Sequence, residues 1–460
     1  MSEEKMLKTI NPATGKTIKN YDQMSDKEVG QAIKDCHEAF LKWKLKSAEE
    51  RAKVIQNIGK KLDEYKGELA KLMTTEMGKL LPQGEQEVEL CSGICDYTAK
   101  TGPDSLKDEE RELPGGGKGY ISYSPLGVIY GIQPWNFPTY QVIRYSIANL
   151  MAGNGVLLKH AENVTGCALL LEKIYHEAGL PENLFKVLLI SHEQSDAVIE
   201  DDLVRGVTLT GSPGAGKIIG KKAGENLKKT VLELGSNDAY LVLEDADLEL
   251  AVKTCVTGRL YNNGETCVAA KRFIVVDKVY DKFKEAFVEQ MSNIKAGDPT
   301  SEESDIGPMA REDLRDQIHE QVEQSVKKGA NILCGGKKPE GDGFYYPATV
   351  LADLEPGMPA YDDELFGPVA SLIRAEDDKD AMRIANDSRF GLGGGIFSKD
   401  EKKARELAKY HFDTGMISIN SFALANPNMP FGGVKDSGFG REHGTFGVHE
   451  FVNVKSIMIA

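Results

Sequence analysis

The chain has 460 residues, with 71 Asp and Glu against 56 Lys and Arg, and a net charge of −15 at pH 7. Its hydrophobic fraction of 41% and charged fraction of 28% exclude a disordered or collagen-like chain, and the length predicts about two to four domains. The acidic balance argues against nucleic acid and anionic membranes as partners, and no run approaches the roughly 20 apolar residues of a membrane span. Because the first residues lack an apolar signal core, we expect a protein that is not secreted.

The cysteines indicate the redox compartment. Their number is odd, no CxxC pair occurs, and no histidine cluster accompanies them. This pattern argues against a disulfide framework and a metal site, and it favours the reducing cytoplasm. The seven are Cys36, Cys91, Cys95, Cys167, Cys255, Cys267 and Cys334.

The N-terminal part of the chain predicts helices. Ser25 and Glu28 have capping-box spacing before a run with helical periodicity, and Ser47 and Glu50 repeat the pattern. Cys36 lies on the apolar stripe of the first helix, so we expect it in the core.

From about residue 101 the pattern changes, and a hairpin is predicted near 104–124. Apolar strands then alternate with helices, which is typical of βαβ units on a parallel sheet. No linker separates the halves, so we expect two closely packed α/β domains. The first half has strands at 127–132, 155–159, 185–190 and 206–209 and a helix at 164–178; the second has strands at 239–243 and 272–276 and helices at 248–262 and 279–295.

A glycine-rich turn at residues 211–217 follows one of these strands. Its GxxxxGK spacing matches a P-loop, but position 218 is Ile rather than the Ser or Thr that binds magnesium, so a nucleotide triphosphatase is excluded. Gly214, Gly216 and Gly220 also match GxGxxxG at the start of a helix, where free N–H groups can bind a pyrophosphate. A tight strand-to-helix turn without a ligand explains the local sequence equally well.

Cys267 is the cysteine most suited to chemistry, because it lies in a Gly- and Asn-containing loop before a strand. A nucleophilic thiol needs a base and an activating environment, and no histidine lies nearby in the sequence. The local sequence therefore leaves a catalytic and a structural role equally open.

Seven segments, in order along about 300 residues, resemble the aldehyde dehydrogenases. Glu233 and Cys267 also have that family's usual interval of 34 positions. The segments are residues 134–138 (PWNFP), 159–162 (KHAE, resembling KPxE), 210–216 (TGSPGAG), 232–235 (LELG), 264–267 (GETC, resembling GQxC), 364–369 (ELFGPV) and 430–438 (PFGGVKDSG).

The resemblance implies the fold and the assembly. It implies an α/β protein with a Rossmann-like cofactor domain (1–103 and 125–235), an α/β catalytic domain (236–445) and a small β oligomerisation element (104–124 and 446–460). By resemblance, the last two segments pair across subunits in a homodimer or homotetramer. The apolar C-terminal run suits a strand that needs a partner.

The resemblance also implies three catalytic residues. The thiolate of Cys267 would attack the aldehyde carbon, and the Asn136 amide with the Cys267 backbone N–H would stabilise the oxyanion. Glu233 would be the general base that activates water to cleave the thioester. Relatives that transfer the acyl group to coenzyme A or phosphate lack this glutamate, so its presence implies hydrolysis to the free carboxylic acid. The alternative for Glu233 is an ion-paired structural carboxylate.

Ten residues are implied in cofactor binding. Glu162 stands where the family binds the adenine ribose, and its carboxylate would repel the 2′-phosphate of NADP. We therefore expect NAD to be preferred, with NADP possible. The ten are Ile132, Trp135, Lys159, Glu162, Gly211, Ser212, Gly216, Leu234, Glu364 and Phe366.

Details near residues 160 and 269–273 resemble the short bacterial succinate-semialdehyde dehydrogenases. In that branch an arginine after PWNFP binds the distal carboxylate of the substrate, and Arg144 occupies this position, with Tyr140 nearby. An exposed helix arginine is the alternative. A serine of that branch is Ala425 here, so another small aldehyde is also open as the substrate.

Three positions depart from the family pattern: Glu265, Ser236 and His160. None removes a reacting atom, although Ser236 could change the loop geometry. Two further functional classes are open, namely a non-enzymatic relative, as in lens crystallins, and a cysteine hydrolase without a cofactor. The intact catalytic residues argue against the former.

Overall fold

The computed structural model describes residues 6–459. Its strands are β1 (Met6–Asn11), β2 (Lys16–Asp22), β3 (Glu109–Glu112), β4 (Lys118–Pro125), β5 (Val128–Gln133), β6 (Gly155–His160), β7 (Phe185–Val187), β8 (Val204–Thr210), β9 (Lys229–Glu233), β10 (Ala239–Val242), β11 (Arg272–Val276), β12 (Asn331–Cys334), β13 (Thr349–Ala352), β14 (Val369–Ala375), β15 (Phe390–Gly391), β16 (Gly394–Phe397), β17 (Ser418–Ile419), β18 (Val434–Lys435), β19 (Gly438–Phe439) and β20 (Val452–Ile459).

The helices are α1 (Asp26–Trp43), α2 (Ala48–Glu64), α3 (Lys66–Met77), α4 (Leu81–Ser105), α5 (Tyr140–Ala152), α6 (Thr165–Glu177), α7 (His192–Glu200), α8 (Pro213–Glu225), α9 (Leu248–Leu260), α10 (Asp277–Ser292), α11 (Glu312–Lys327), α12 (Pro359–Asp362), α13 (Asp378–Asn386), α14 (Glu401–Tyr410) and α15 (Gly444–Glu450).

A six-stranded sheet with the order β19-β9-β8-β5-β6-β7 forms the first α/β unit. All neighbouring pairs are parallel except β19 with β9. Strands β5 and β6 are buried almost throughout, which explains their continuous apolar sequence. The predicted Rossmann-like arrangement is confirmed, although β7 ends at Val187 rather than at residue 190.

A seven-stranded sheet with the order β12-β13-β14-β11-β10-β16-β17 forms the second unit. It is parallel except for the edge strand β12. Clusters of buried apolar side chains lie on each face of this sheet, one including Ile274 and Ile396 and the other Phe273 and Phe397. The fold prediction of two α/β units is therefore confirmed.

The helical N-terminal region agrees with its capping patterns. The Ser25 hydroxyl accepts a hydrogen bond from Glu28 N, and Ser47 caps α2 in the same way through Glu50 N. Cys36 is buried in the core. The predicted change in pattern at residue 101 comes later in the structure, because α4 continues through Pro103 to Ser105.

The third sheet joins the predicted hairpin and the C-terminal strand within one chain. Strand β20 pairs antiparallel with β4 over its whole length, and β4 pairs with β3, all within one chain. The hairpin and the C-terminal strand therefore pair with each other, and any pairing across subunits stays a prediction. The outer edges of β3 and β20 stay free of strand partners within residues 6–459.

Within the described residues, no helix has the length and apolar character needed to cross a membrane.

Candidate active site

The candidate site lies where several parallel strands of the first sheet end. Segment 134–138 follows β5, Gly211 and Ser212 follow β8, and Glu233 ends β9. In open α/β sheets, ligands bind in the crevice at the carboxyl ends of the strands. The loop that carries Cys267 extends into this crevice from the second unit.

The loop before Cys267 is held in an unusual conformation. Asn262 and Asn263 adopt left-handed backbone angles, with φ of 55° and 57°, which asparagine tolerates better than most residues. The Asn263 amide donates to the carbonyls of Gly78 and Pro308, each at 3.0 Å, and its oxygen accepts from Gly307 N at 2.7 Å. These buried contacts fix the loop.

Asn136 is tied directly to the same loop. Its Nδ2 donates to the Glu265 carbonyl at 3.0 Å, and Asn262 Nδ2 bridges the carbonyls of Asn136 (2.8 Å) and Glu265 (3.1 Å). Asn136 and Cys267 line one cavity. The structure therefore brings together the predicted nucleophile and the predicted oxyanion donor.

Cys267 is partly exposed, whereas five of the other six cysteines are buried. Burial of the sulfur raises the pKa of the Cys267 thiol to about 11, while the positive charges of Arg144 and Lys271 lower it. Glu364 and Glu233 act in the opposite direction. The thiol therefore depends on its two cationic neighbours for any thiolate character.

Glu233 has 1% of its surface exposed and does not line the cavity, although the next two residues, Leu234 and Gly235, do. Neither carboxylate oxygen has a hydrogen-bond partner among residues 6–459. Burial raises the pKa of Glu233, Arg144 lowers it and Glu442 raises it further. A Cβ at Gly432 would come 2.8 Å from Glu233 Oε1, so only glycine allows the carboxylate to lie there. A buried carboxylate without donors suits a group that takes a proton from water.

Arg144 is in a different setting from the one predicted. It is buried, forms an ion pair with Glu442 and donates to Thr210 Oγ1 at 2.7 Å. Its guanidinium also lies over the rings of Tyr140 and Phe431, at 5.4 and 4.6 Å from their centroids. This burial excludes an exposed helix arginine. The charge is also already paired, which does not favour the predicted binding of a substrate carboxylate.

Tyr140 is likewise buried, and its hydroxyl bonds with His443 Nε2 at 2.8 Å. Burial and the nearby Arg144 charge lower the pKa of His443 to about 3, so the imidazole is neutral. Neither Tyr140 nor Arg144 lines the cavity at Cys267. Their predicted contact with substrate therefore stays a prediction.

A cavity of about 450 Å³ opens beside Cys267. Ser212 caps α8 at its edge, with its hydroxyl accepting from Ala215 N at 3.2 Å, so the start of the helix faces this crevice. Ten residues were predicted to bind the cofactor, and six of them line this cavity: Trp135, Gly211, Ser212, Leu234, Glu364 and Phe366.

Two predicted cofactor residues, Gly216 and Ile132, pack against neighbouring segments of the site. A Cβ at Gly216 would come 2.5 Å from the Leu234 side chain, so glycine allows α8 to approach this segment closely. Ile132 packs into a small apolar cluster with Leu209 and Leu234. Neither residue lines a cavity at the site, so their contact with a cofactor stays a prediction.

The last two predicted cofactor residues, Lys159 and Glu162, line a separate cleft of about 750 Å³. Lys159 is buried, and this burial lowers the pKa of its ammonium while Glu162 raises it. Glu162 is exposed at the start of a short 3₁₀ turn, Glu162–Val164. Lys8, His192 and Arg311 also line the cleft, so Glu162 is not its only charged group.

Sequence reasoning missed the residues contributed by distant segments. These have no local motif, because their positions depend on how the two units pack. Those lining the 450 Å³ cavity include Gln141, Leu314, Gln317, Gln321, Asp363, Arg389 and Phe390.

Comparison with known proteins identifies the family. The profile of the aldehyde dehydrogenase family matches residues 1–457. The chain belongs to the aldehyde dehydrogenase family. This aldehyde dehydrogenase is 44% identical over 449 residues to succinate semialdehyde dehydrogenase [NAD(P)+] of Escherichia coli, covering 98% of this chain and 97% of that protein.

Two further relatives agree. Succinate-semialdehyde dehydrogenase [NADP(+)] of Mycobacterium leprae is 42% identical over 456 residues, covering 99% of this chain and all of that one. The crystal structure of succinic semialdehyde dehydrogenase from Streptococcus pyogenes with NADP+ superposes with a TM-score of 0.96 at 37% identity, covering 98% and 99% of the two chains. The resemblance and the aldehyde dehydrogenase fold are thus confirmed, and the protein is an enzyme that oxidises an aldehyde to the acid.

The predicted preference for NAD is wrong. The Mycobacterium leprae relative is named for NADP(+), and the Streptococcus pyogenes structure has NADP+ as its cofactor. The prediction rested on the charge of Glu162 and treated Lys159 as compatible with either cofactor. In the structure Glu162 is exposed, where water screens its charge, and the cations of Lys159 and Arg311 line the same cleft.

Proposed function

We propose that this aldehyde dehydrogenase oxidises succinate semialdehyde to succinate with NADP+. The observation that carries the catalytic part is that Cys267 and Asn136 line one cavity. The buried Glu233 directly precedes two residues of that lining, and its carboxylate has no hydrogen-bond partner among residues 6–459. The names of the relatives support the substrate and the cofactor. The residues fit NADP+, because Ser212 presents a helix start to a pyrophosphate and Lys159 offers a cation in the second cleft.

In the first half-reaction, the Cys267 thiolate attacks the aldehyde carbon and a carbon–sulfur bond forms. The carbonyl oxygen becomes an oxyanion, which the Asn136 amide and the Cys267 backbone N–H stabilise. Glu364 and Phe366, which line the cavity, would hold the nicotinamide ribose and ring of NADP+, and this group would supply the acceptor for the hydride that leaves the carbon. The product on Cys267 is a thioester.

In the second half-reaction, Glu233 takes a proton from water as the water attacks the thioester carbon. The carbon–sulfur bond breaks, the thiolate of Cys267 returns, and the carboxylic acid leaves. The raised pKa of Glu233 suits this role, because a stronger base accepts the proton more readily near neutral pH.

The substrate is tested by comparing succinate semialdehyde with butanal, an aldehyde of the same length without the distal carboxylate, while following NADPH absorbance. We expect a kcat/KM at least tenfold higher for succinate semialdehyde, and higher with NADP+ than with NAD+. Equal values for the two aldehydes would exclude recognition of the distal carboxylate. Because Arg144 is paired with Glu442, it would reach this carboxylate only by giving up that contact.

The nucleophile is tested by Cys267→Ala, which we expect to abolish oxidation while cofactor binding remains. Cys334→Ala is the matched control, since Cys334 is also partly exposed but lies on β12, away from the cavity. Retention of a tenth of the activity by Cys267→Ala would refute the assignment.

The base is tested by Glu233→Gln. We expect a first-turnover burst of NADPH followed by slow turnover, because hydride transfer precedes hydrolysis. An equal loss of burst and steady state would place Glu233 in the first half-reaction instead.

We also propose that the enzyme is a homo-oligomer in the cytoplasm. Val454, Ile457, Met458 and Ile459 of β20 are exposed, and the outer edge of this strand has no strand partner within residues 6–459. An apolar strand with an unpaired edge is an aggregation hazard. The seven cysteines are all free, which suits a reducing compartment. If sedimentation at micromolar protein concentration shows a monomer, the proposal of a homo-oligomer is contradicted.

A further inference from the structure

Lys271 is a buried cation that no step above uses. It lies immediately before β11, four positions after Cys267, and 1% of its side chain is exposed. A buried ammonium needs acceptors for its three N–H groups, since desolvation would otherwise be costly. The acceptors of the Lys271 ammonium therefore identify the groups that this lysine holds in place.

The Lys271 ammonium is surrounded by oxygens of the catalytic loop. It donates to the carbonyl oxygens of Cys267 at 2.5 Å and Thr266 at 3.1 Å, and to Ser236 Oγ at 2.7 Å. It also forms an ion pair with Glu364 Oε1 at 3.2 Å. One side chain thus contacts the backbone of the nucleophile and a carboxylate of the cofactor cavity.

Ser236 completes a ring of contacts around this lysine. Its hydroxyl donates to the Cys267 carbonyl, and its backbone N–H donates to Glu364 Oε1 at 3.0 Å. The aldehyde dehydrogenase motif LELGG has a glycine at this position, which could supply the backbone N–H but no hydroxyl. The Lys271–Ser236 contact therefore depends on a feature in which this chain departs from the motif.

Lys271 is one of two cations near the thiol. Arg144 and Lys271 favour the thiolate of Cys267, whereas Glu364 and Glu233 oppose it. The Tyr140 hydroxyl also lies close enough to interact with Cys267, and it is uncharged near neutral pH because burial raises its pKa. Asp238 and Glu364 are the carboxylates that face Lys271.

We propose that Lys271 is a positioning residue that fixes the backbone of Cys267 against Glu364 and supplies positive charge that favours the thiolate. This inference rests on the proposed role of Cys267 as nucleophile. Lys271 does not touch the substrate, so it acts through the geometry and the ionisation of Cys267. It also connects the nucleophile to Glu364, which lines the cofactor cavity.

The test measures the ionisation of Cys267 directly. The rate of its alkylation by iodoacetamide is followed from about pH 6 to 11 by mass spectrometry of the peptide that contains it, without substrate or cofactor, because the thiolate is the reacting form. In Lys271→Met we expect the apparent pKa to rise by about one unit, with about tenfold slower alkylation at pH 7.

Two further variants separate charge from packing. Lys271→Arg keeps the charge, and we expect it to restore most of the wild-type profile. Lys278→Met removes an exposed lysine of α10, whose side chain is 70% exposed, and we expect no change. An unchanged profile in Lys271→Met, or an equal shift in Lys278→Met, would overturn the proposal.

A milder variant applies if Lys271→Met does not fold, as judged by circular dichroism. Ser236→Gly restores the residue of the motif and removes one acceptor of Lys271. We expect a shift of the pKa in the same direction but smaller, together with a lower kcat and little change in KM for the cofactor. An unchanged profile in this folded variant would likewise overturn the proposal.

The outcomes also separate this inference from the proposed function. If Cys267→Ala abolishes oxidation while the alkylation profile of Lys271→Met matches the wild type, only the role of Lys271 fails. If Cys267→Ala remains active, the nucleophile is wrong, whatever the alkylation profile shows.

Discussion

Two buried cations flank Cys267, and their surroundings differ. Arg144 pairs with Glu442, and the side chains of this pair are 1% and 6% exposed. Lys271 pairs with Glu364, and the corresponding values are 1% and 18%, because Glu364 lines the open cavity. Arg144 is packed between aromatic rings, whereas Lys271 is surrounded by oxygen atoms.

The difference separates a closed ion pair from an open one. In a closed pair, neither charge can reach water when its partner is lost, so the pair is coupled to the stability of the fold. In an open pair, the carboxylate can hydrate or bind a ligand when the cation is lost. Both cations favour the thiolate of Cys267. We therefore expect the loss of Arg144 to destabilise the fold more than the loss of Lys271, whose removal should be seen mainly in the reactivity of Cys267.

The largest expected effect comes from breaking the closed pair. Arg144→Met leaves Glu442 buried without a counter-charge, and we expect the free energy of unfolding to fall by about 3–5 kcal/mol. Urea unfolding measures this change. The double variant Arg144→Met/Glu442→Leu should recover most of the loss, because apolar residues can replace a buried pair. A loss below about 1 kcal/mol in the single variant would show that Glu442 reaches water.

Breaking the open pair of Lys271 and Glu364 should lower the free energy of unfolding less than breaking the closed pair. We expect Lys271→Met to lower the free energy of unfolding by about 2 kcal/mol, since several hydrogen bonds are lost but Glu364 can hydrate. The same urea experiment measures it. A loss equal to that of Arg144→Met would remove the distinction between the two pairs.

A third prediction concerns pH. Glu233 acts as a base only when ionised, so turnover falls as the pH decreases through its raised pKa. Glu442 raises this pKa, and Glu442→Gln removes that negative charge. We therefore expect the acid limb of the kcat profile to move to lower pH by about one unit. Glu244→Gln, at an exposed glutamate, is the control. A shift to higher pH would show that Glu442 does not act on Glu233 through its charge.

The smallest effect is expected at an exposed pair. Lys278 and Glu244 lie 2.6 Å apart, with side chains 70% and 57% exposed. Water screens such charges, so Lys278→Met should change the free energy of unfolding by less than about 0.5 kcal/mol. A larger change in urea unfolding would mean that the exposure of an ion pair does not determine how much it contributes to the free energy of unfolding.

Much of the fold could be predicted from local patterns. The caps at Ser25 and Ser47 and the buried strands β5, β6 and β11 follow from neighbouring residues, and the structure places them where the patterns do. The three catalytic candidates also come from short motifs. Asn136 and Cys267 line one cavity, and Glu233 directly precedes two residues of its lining. Their roles stay predictions until the variants are made.

The rest depends on contacts between distant segments. Nothing near Arg144 in the sequence indicates that Glu442 pairs with it, and nothing near Lys271 indicates Ser236 or Glu364. The cofactor preference failed for the same reason, because Arg311 reaches the cleft of Glu162 only through tertiary packing. The electrostatic potential at a site depends on all the charges that folding brings near it, so one charged residue in a motif does not predict it.

The loop before the nucleophile has one more consequence, for the chemical ageing of the protein. Asn263 is followed by Gly264, and an Asn-Gly pair in a flexible chain deamidates readily because the next backbone nitrogen can attack the side-chain carbonyl. Here three hydrogen bonds hold the Asn263 amide in place. Deamidation should therefore proceed only in molecules that have opened locally, and it would place a permanent negative charge where the loop tolerates none. The rate of deamidation at Asn263 is then set by how often this loop opens rather than by the intrinsic rate of the chemistry.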